Sequence, residues 1–186
     1  LSHCEGVVQL VDSDISRCNS NVFILLHYYK PLTIRRKETD FNSIENTWKL
    51  GIDILGTMMK CRDKGIYHLD IQPKNIYFDE NDRAILGDFG GAKFDYELCE
   101  LTCKIGTVAF MAPEVYYNGV YSQASEIYSL GIVMYSLLNN AKLPFMEDNN
   151  LNKAIMLRLK GEKMLSPCTD NKELWNCIKK MCEFDL

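Results

Sequence analysis

The segment that most constrains the fold is residues 125–138, where nearly every side chain is apolar. A helix that is apolar on almost all faces must be buried on most sides, so other elements have to surround it. Its most continuous apolar part, residues 130–138, is far shorter than the roughly 20 residues that cross a bilayer as a helix. Because 47% of the residues are hydrophobic and 25% are charged, the chain is expected to form one globular core without a membrane segment.

The charge and the cysteines narrow the class of protein. The 186 residues carry 21 basic and 25 acidic side chains, a formal net charge of −4. A nucleic-acid-binding protein usually presents a basic patch, so no nucleic-acid partner is expected. The eight cysteines contain no C-x-x-C pair, the usual spacing of zinc and redox sites. We therefore expect reduced thiols that behave as small buried hydrophobic residues, and a cytoplasmic location.

The first part of the chain predicts a pair of strands. Residues 7–11 and 22–26 are two apolar runs of strand length. The polar stretch between them, residues 12–21, predicts a loop.

Helices are predicted on both sides of the centre of the chain. Apolar residues at steps of three or four predict an amphipathic helix that ends near Gly65. Two later helices are predicted near residues 151–159 and 174–181 by the same periodicity. The apolar stripe of the first helix consists of Ile44, Trp48, Ile52, Leu55 and Met59.

Four basic residues lie on or just after the helix predicted at residues 151–159. They could form a patch that docks a substrate, or they could be the solvated face of an amphipathic helix. The sequence favours the solvated face. These residues are Lys153, Arg158, Lys160 and Lys163.

A short β-hairpin is predicted at the centre of the chain, from apolar residues 76–78 and 84–86 around a polar turn. Asp70 and Asn75 precede its first strand, and Asp88 follows its second strand. Because a hairpin returns its end beside its start, these three side chains should converge. Two carboxylates and an amide oxygen suit Mg²⁺, which also bridges to substrate phosphates.

Four motifs in this order resemble the signature of the eukaryotic-type protein kinases. The resemblance covers nearly the whole chain and implies an α+β, protein-kinase-like fold, with a mainly helical large lobe, a short catalytic β-hairpin and two remaining small-lobe strands. It divides the chain into a partial small lobe with the hinge (residues 1–30) and a large lobe truncated at its end (residues 31–186). The motifs are His68-Leu69-Asp70 through Asn75, Asp88-Phe89-Gly90, Gly106-Thr107 and Ala112-Pro113-Glu114, followed by a central helix beginning near Glu126.

The resemblance implies a role for each matching position, with ATP and Mg²⁺ as cofactors and a protein with a Ser or Thr acceptor as substrate. Asp70 matches the catalytic base, and Gln72 stands where Ser/Thr kinases place a Lys against the γ-phosphate. Asn75 and Asp88 match the Mg²⁺ ligands. The other matches are Leu26 (the gatekeeper position), His27, Tyr29 and Tyr77 around the nucleotide, Thr107 and Glu114 in the activation segment, and His68, Phe89 and Glu126 in the structural spine.

Several positions depart from the family pattern. Gln72 brings no charge, and losing such a contact costs on the order of 3 kcal/mol, about a hundredfold in rate. Leu69 replaces the Arg that pairs with a phosphorylated activation segment, and Glu126 replaces an Asp with the charge retained. In the family Glu114 pairs with an Arg further along, and the sequence is expected to end before that position. No glycine-rich loop or strand Lys precedes the first strand, so residues 1–186 alone are expected to have little or no kinase activity.

Three functions stay open from the sequence. An ATP-dependent Ser/Thr protein kinase is the leading interpretation for the intact protein. A pseudokinase that binds or scaffolds is favoured by Gln72 and by the absent phosphate-binding parts, and it is opposed by Asp70, Asn75 and Asp88. A small-molecule phosphotransferase of the aminoglycoside-kinase type shares the catalytic-loop pattern, but such enzymes lack the Gly106-Thr107 and Ala-Pro-Glu elements.

Leu69 leads to a prediction about activation, because no guanidinium at this position can receive a phosphate on Thr102 or Thr107. Residues 93–104 already carry three acidic and two basic side chains, so an added phosphate would increase repulsion. Phosphatase treatment of the full-length protein, checked by mass spectrometry, should leave its activity unchanged. Loss of most activity on dephosphorylation at either threonine would contradict the inference.

Overall fold

The computed structural model describes residues 4–15, 22–38, 43–100, 103–146, 148, 150–167 and 169–183. Its strands form small antiparallel sheets and its helices form the larger body, in agreement with the predicted α+β, kinase-like fold. The strands are β1 (Leu10–Ile15), β2 (Val22–Leu26), β3 (Lys30–Pro31), β4 (Ile66–Tyr67), β5 (Ile76–Phe78), β6 (Ala84–Leu86) and β7 (Lys93–Phe94), and the helices are α1 (Leu32–Glu38), α2 (Ile44–Arg62), α3 (Pro113–Asn118), α4 (Gln123–Leu138), α5 (Leu151–Leu159) and α6 (Lys172–Met181).

Helix α4 is the centre of the core, as its apolar sequence predicts. All its residues from 130 to 138 are buried, and it packs against both α2 and α6. Its first turn is closed by a reciprocal cap, in which the Ser125 N–H donates to Ser122 Oγ at 3.2 Å and the Ser122 N–H donates to Ser125 Oγ at 3.0 Å. The helix can therefore begin at a defined residue although its body is apolar on every side.

Helix α2 has nearly the predicted bounds, but the predicted stripe is only partly the one that faces the core. Ile52 and Met59 are 65% and 61% exposed. The buried face instead includes small residues, and a Cβ at Gly51 would lie 2.8 Å from Met134 Cε of α4. Small residues let α2 and α4 approach closely. The apolar periodicity of the sequence alone therefore predicts the buried face of α2 only in part. The buried residues of α2 are Thr47, Leu50, Gly51, Ile54, Thr57, Met58 and Cys61.

The central hairpin has the predicted strands. Ile76 pairs with Leu86 and Phe78 pairs with Ala84. Just beyond the paired strands, the Gly87 N–H donates to the Asn75 carbonyl at 2.9 Å. This bond holds the residue before Asp88 beside Asn75, and so places the two arms of the hairpin next to the preceding loop.

The strand pair β1–β2 is also present, but the predicted first strand is wrong over residues 7–9, which precede β1, and the predicted loop is wrong over residues 12–15. Strand β1 continues through Asp12 to Ile15 because its backbone pairs with β2, with Asp12 opposite Leu25 and Ile15 opposite Val22. Polar side chains are tolerated there because this ribbon is exposed, including all five residues of β2. The short helices α1 and α3 were not predicted, since each is too brief to show a period of its own.

Three of the described cysteines, Cys4, Cys61 and Cys182, are free thiols in the interior. Burial raises the pKa of Cys61 and of Cys182 to about 12, so both stay protonated at neutral pH. This agrees with the expected hydrophobic role. Across the described ranges, no helix has the length and apolarity to cross a membrane.

Two glycines give a matched test of helix packing. A Cβ at Gly131 of α4 would lie 2.7 Å from Cys182 Sγ and 3.0 Å from Met181 Cβ, whereas a Cβ at Gly56 of α2 would meet nothing within 4 Å. Gly131→Ala should lower the free energy of unfolding by about 1–3 kcal/mol through overpacking. Gly56→Ala should raise it by about 0.5–1 kcal/mol through helix propensity. Urea unfolding of both variants measures the difference, and equal shifts would contradict the packing of α4 against α6.

Candidate functional site

Glu126, a buried residue in the first turn of α4, binds the backbone of the loop that precedes β5. One of its oxygens, Oε1, accepts from the backbone N–H of His68 at 2.7 Å and of Leu69 at 3.0 Å. Burial raises the pKa of Glu126, although these two N–H donors act in the opposite direction. The longer Glu therefore reaches the loop at the position where the resemblance leads one to expect an Asp.

His68 is a packed residue with both ring nitrogens engaged. Its Nε2 lies 2.8 Å from the Gly87 carbonyl and its Nδ1 accepts from the Asp70 N–H at 3.2 Å, which assigns the proton to Nε2. Burial lowers the pKa of the ring, so it is neutral at physiological pH. The Phe89 ring packs edge-on against it, with the centroids 4.6 Å apart. This geometry suits a structural role and not a proton carrier.

Asp70 accepts hydrogen bonds from several other residues of the site. Its Oδ1 accepts from the Thr107 N–H at 2.8 Å. Its Oδ2 accepts from Gln72 Nε2 at 2.5 Å and from Asn75 Nδ2 at 3.0 Å. The same Gln72 nitrogen donates to Thr107 Oγ1 at 2.7 Å. Four of the residues singled out from the sequence are thus joined directly by hydrogen bonds.

The approach of Thr107 to Asp70 depends on Gly106. A Cβ at this position would lie 2.4 Å from the Leu69 carbonyl oxygen, and the φ angle of Gly106 is +102°. Both the close contact and the positive φ favour glycine. Leu69, also at a positive φ of 66°, is buried, so an apolar side chain fills the position where the resemblance leads one to expect Arg.

The candidate metal ligands Asn75 and Asp88 lie on the two arms of the hairpin. Asn75 donates through Nδ2 to both the carbonyl and the carboxylate of Asp70, so its oxygen points away from these acceptors. Asp88 is exposed at a left-handed φ of 59° and ψ of 67°, directly after Gly87. An amide oxygen and an accessible carboxylate fit the hard-oxygen preference of Mg²⁺. Within the described residues no group of three or more His, Cys, Asp or Glu side chains is arranged to hold a metal; the candidate set is one carboxylate, Asp88, and one amide, Asn75.

The four residues matched to the nucleotide site differ in whether they line a cavity. His27 and Tyr29 line the same cavity of about 580 Å³, which does not include Leu26 or Tyr77. The His27 N–H is already bonded to the Gln9 carbonyl at 3.1 Å, so only its carbonyl can serve a ligand. Leu26 is 49% exposed, and Tyr77 packs beside Gly87.

Arg158 does not lie on the solvated helix face that its sequence pattern predicts. It is only 3% exposed, so the expected solvated face is wrong at this position. Its guanidinium donates to the carbonyls of Val108, Ala109 and Met111, which directly follow Thr107 or lie near it. The available signal was its spacing of four from Ala154, which is also buried. Glu114, at the end of the same segment, has a buried Oε2 atom without a hydrogen-bond partner among the described residues.

Sequence comparisons with known proteins assign this chain to a family. A family model described as the protein kinase domain matches residues 1–185. The serine/threonine-protein kinase STY46 of Arabidopsis thaliana is 29% identical over 80% of this chain. The serine/threonine/tyrosine-protein kinase HT1 of the same plant is 29% identical over 79% of it. A probable myosin light chain kinase of Dictyostelium discoideum is 34% identical over 71% of it.

This chain spans only 26%, 37% and 28% of the lengths of those three relatives. The similarity is therefore to a domain within larger proteins, and it extends across the loop, the hairpin and the segment that meet at Asp70. On the family match and on this arrangement, the chain belongs to the protein kinase domain family.

Proposed function

We propose that the protein transfers the γ-phosphoryl group of ATP to a Ser or Thr hydroxyl of a protein substrate. The observation that carries the proposal is the Asp70 carboxylate, which is held by the Thr107 N–H, Gln72 and Asn75. A carboxylate offers about four acceptor positions, and three are occupied by these donors. The remaining position can accept the proton of a substrate hydroxyl, as a general base requires.

Asn75 and Asp88 would hold the magnesium that accompanies ATP. Bound Mg²⁺ would supply charge neutralisation at the β- and γ-phosphates. Asn75 keeps its oxygen available because its nitrogen is engaged by Asp70. The bond between the Gly87 N–H and the Asn75 carbonyl joins the residue before Asp88 to Asn75, so both proposed ligands belong to one hairpin.

Thr107 supports a preference for Ser and Thr acceptors. Its hydroxyl oxygen accepts from Gln72 and its N–H donates to Asp70, so this residue lies beside the group that would take the substrate proton. The named relatives include Ser/Thr kinases, which agrees with this preference.

A pseudokinase is the second candidate, and Gln72 is the observation that favours it. The amide is engaged by Asp70 and Thr107 and provides no positive charge for a γ-phosphate. A protein of this kind would keep the fold and bind a partner or nucleotide without useful phosphoryl transfer.

Separate roles for Asp70 and Asp88 are tested by amide substitutions in the full-length protein. Asp70→Asn should lower kcat by roughly 10²–10⁴-fold, because a base acts in the chemical step, and should leave nucleotide affinity nearly unchanged. Asp88→Asn should instead weaken Mg²⁺-dependent nucleotide binding. Stopped-time phosphorylation assays and nucleotide titrations with and without Mg²⁺ measure the two effects. The exposed Asp63→Asn is the control, and equal losses of nucleotide binding in both site variants would contradict the assigned roles.

Substitutions of Gln72 distinguish the two candidate functions. Gln72→Lys places a charge beside Asp70 and should raise the rate of phosphoryl transfer by up to about a hundredfold if the site is catalytic. Gln72→Leu removes both hydrogen bonds made by the amide and should lower the rate below that of the wild type. Single-turnover kinetics with labelled ATP and a set of Ser/Thr peptides measure both changes. If neither the wild type nor Gln72→Lys transfers phosphate although both bind nucleotide, the pseudokinase is the correct reading.

A further inference from the structure

Arg158 on helix α5 is buried against the segment that contains Thr107. The Arg158 guanidinium donates through Nη1 to the Ala109 carbonyl, and through Nη2 to the Val108 carbonyl at 3.0 Å and the Met111 carbonyl at 3.3 Å. Burial lowers the pKa of this guanidinium, which reflects the free-energy cost of removing a charge from water. Hydrogen bonds to three carbonyls offset part of that cost.

The three acceptors belong to a single turn, which we call the threonine turn (residues 107–111). The turn is closed by the Thr107 carbonyl, which accepts from the N–H groups of Phe110 at 2.9 Å and Met111 at 3.1 Å. Arg158 therefore binds the outer side of a turn whose first residue contacts Asp70 and Gln72. A shift of the turn would be transmitted to the Asp70 carboxylate through the Thr107 N–H.

The remaining contacts of Arg158 keep its side chain in one place. The guanidinium carbon lies 5.9 Å from the centre of the Tyr128 ring on α4, within cation–π range. Tyr128 is itself fully buried in the core. Helix α4, which also holds the catalytic loop through Glu126, thus supports Arg158 from the opposite side. One helix sets the position of both partners of the Asp70–Thr107 contact.

The threonine turn adjoins the carboxylate to which, in the proposed function, an acceptor peptide would present its hydroxyl. Val108 is 40% exposed and adjoins Thr107, whose N–H is bonded to Asp70. A peptide that presents its hydroxyl to Asp70 would therefore have neighbouring residues against this turn. The position of the turn would affect peptide binding more than it affects ATP binding.

We propose that Arg158 is a positioning residue that holds the threonine turn for the acceptor peptide. The proposal rests on the proposed kinase function. It goes beyond that function by assigning acceptor-peptide binding to a contact made from α5. Arg158 touches neither substrate nor Asp70 and acts only through the turn.

The test uses Arg158→Met, which keeps the apolar stem and removes every donor, and Arg158→Lys, which keeps the charge but loses the planar fork. Lys160→Met is the matched control, since it also replaces a basic side chain by Met, at an exposed residue directly after α5. Hydrogen exchange of the amides in residues 107–112 should become about tenfold faster in Arg158→Met, with a smaller increase in Arg158→Lys. Exchange in α2 should stay at the wild-type rate, which separates local release of the turn from general destabilisation.

In the full-length protein, Arg158→Met should raise the KM for an acceptor peptide by about tenfold and leave the KM for ATP within about twofold of the wild type. Lys160→Met should leave both constants unchanged. Unchanged exchange in residues 107–112, an equal increase in α2, or an unchanged peptide KM would each overturn the proposal. If Arg158→Met does not fold, the same two measurements on Arg158→Lys decide, and wild-type values in that variant contradict it.

Failure of the kinase function itself gives a different result. Absence of phosphoryl transfer by the wild type to any tested peptide would remove the proposed function. In that case the hydrogen-exchange rates of residues 107–112 alone test whether Arg158 anchors the threonine turn.

Discussion

The whole site depends on one buried carboxylate, that of Glu126. Its Oε1 receives the backbone N–H groups of His68 and Leu69, and it lies in the first turn of the helix that the core surrounds. Burial disfavours the charged form of this side chain, and the two N–H donors favour it. The result is a short, directed link between the first turn of α4 and the loop that carries Asp70.

A second constraint brings the activation segment to the loop. The Gly106 backbone passes so close to the Leu69 carbonyl that a side chain could not be accommodated. This approach lets the Thr107 N–H reach Asp70. Arg158 holds the other side of the same turn. The contact between Thr107 and Asp70 is therefore supported from both sides by α4, through Glu126 and through the ring of Tyr128.

Gln72 shows how one residue changes the chemistry available to the hydrogen-bonded group around Asp70. Its amide occupies the space between Asp70 and Thr107 and satisfies both. The hydrogen bonds that hold Asp70 are kept, as the proposed base requires. The positive charge that would face a γ-phosphate in the proposed function is absent.

The sequence by itself determined the features that depend on neighbouring residues: the central hairpin, the buried helix α4 and most helix bounds. It predicts that Asp70, Asn75 and Asp88 converge, whereas the hydrogen bonds of the Asp70 carboxylate run to Thr107, Gln72 and Asn75. Hairpin closure brings Asn75 next to Gly87 because only a few residues separate the two strands. Tertiary structure alone decided which stripe of α2 is buried, that β1 extends through Asp12 to Ile15, and that Arg158 points inward. Periodicity describes one element at a time, whereas burial depends on the surface packed against it: Gly51 faces the core because Met134 needs the space, and Arg158 is buried because three carbonyls of a distant turn receive its charge.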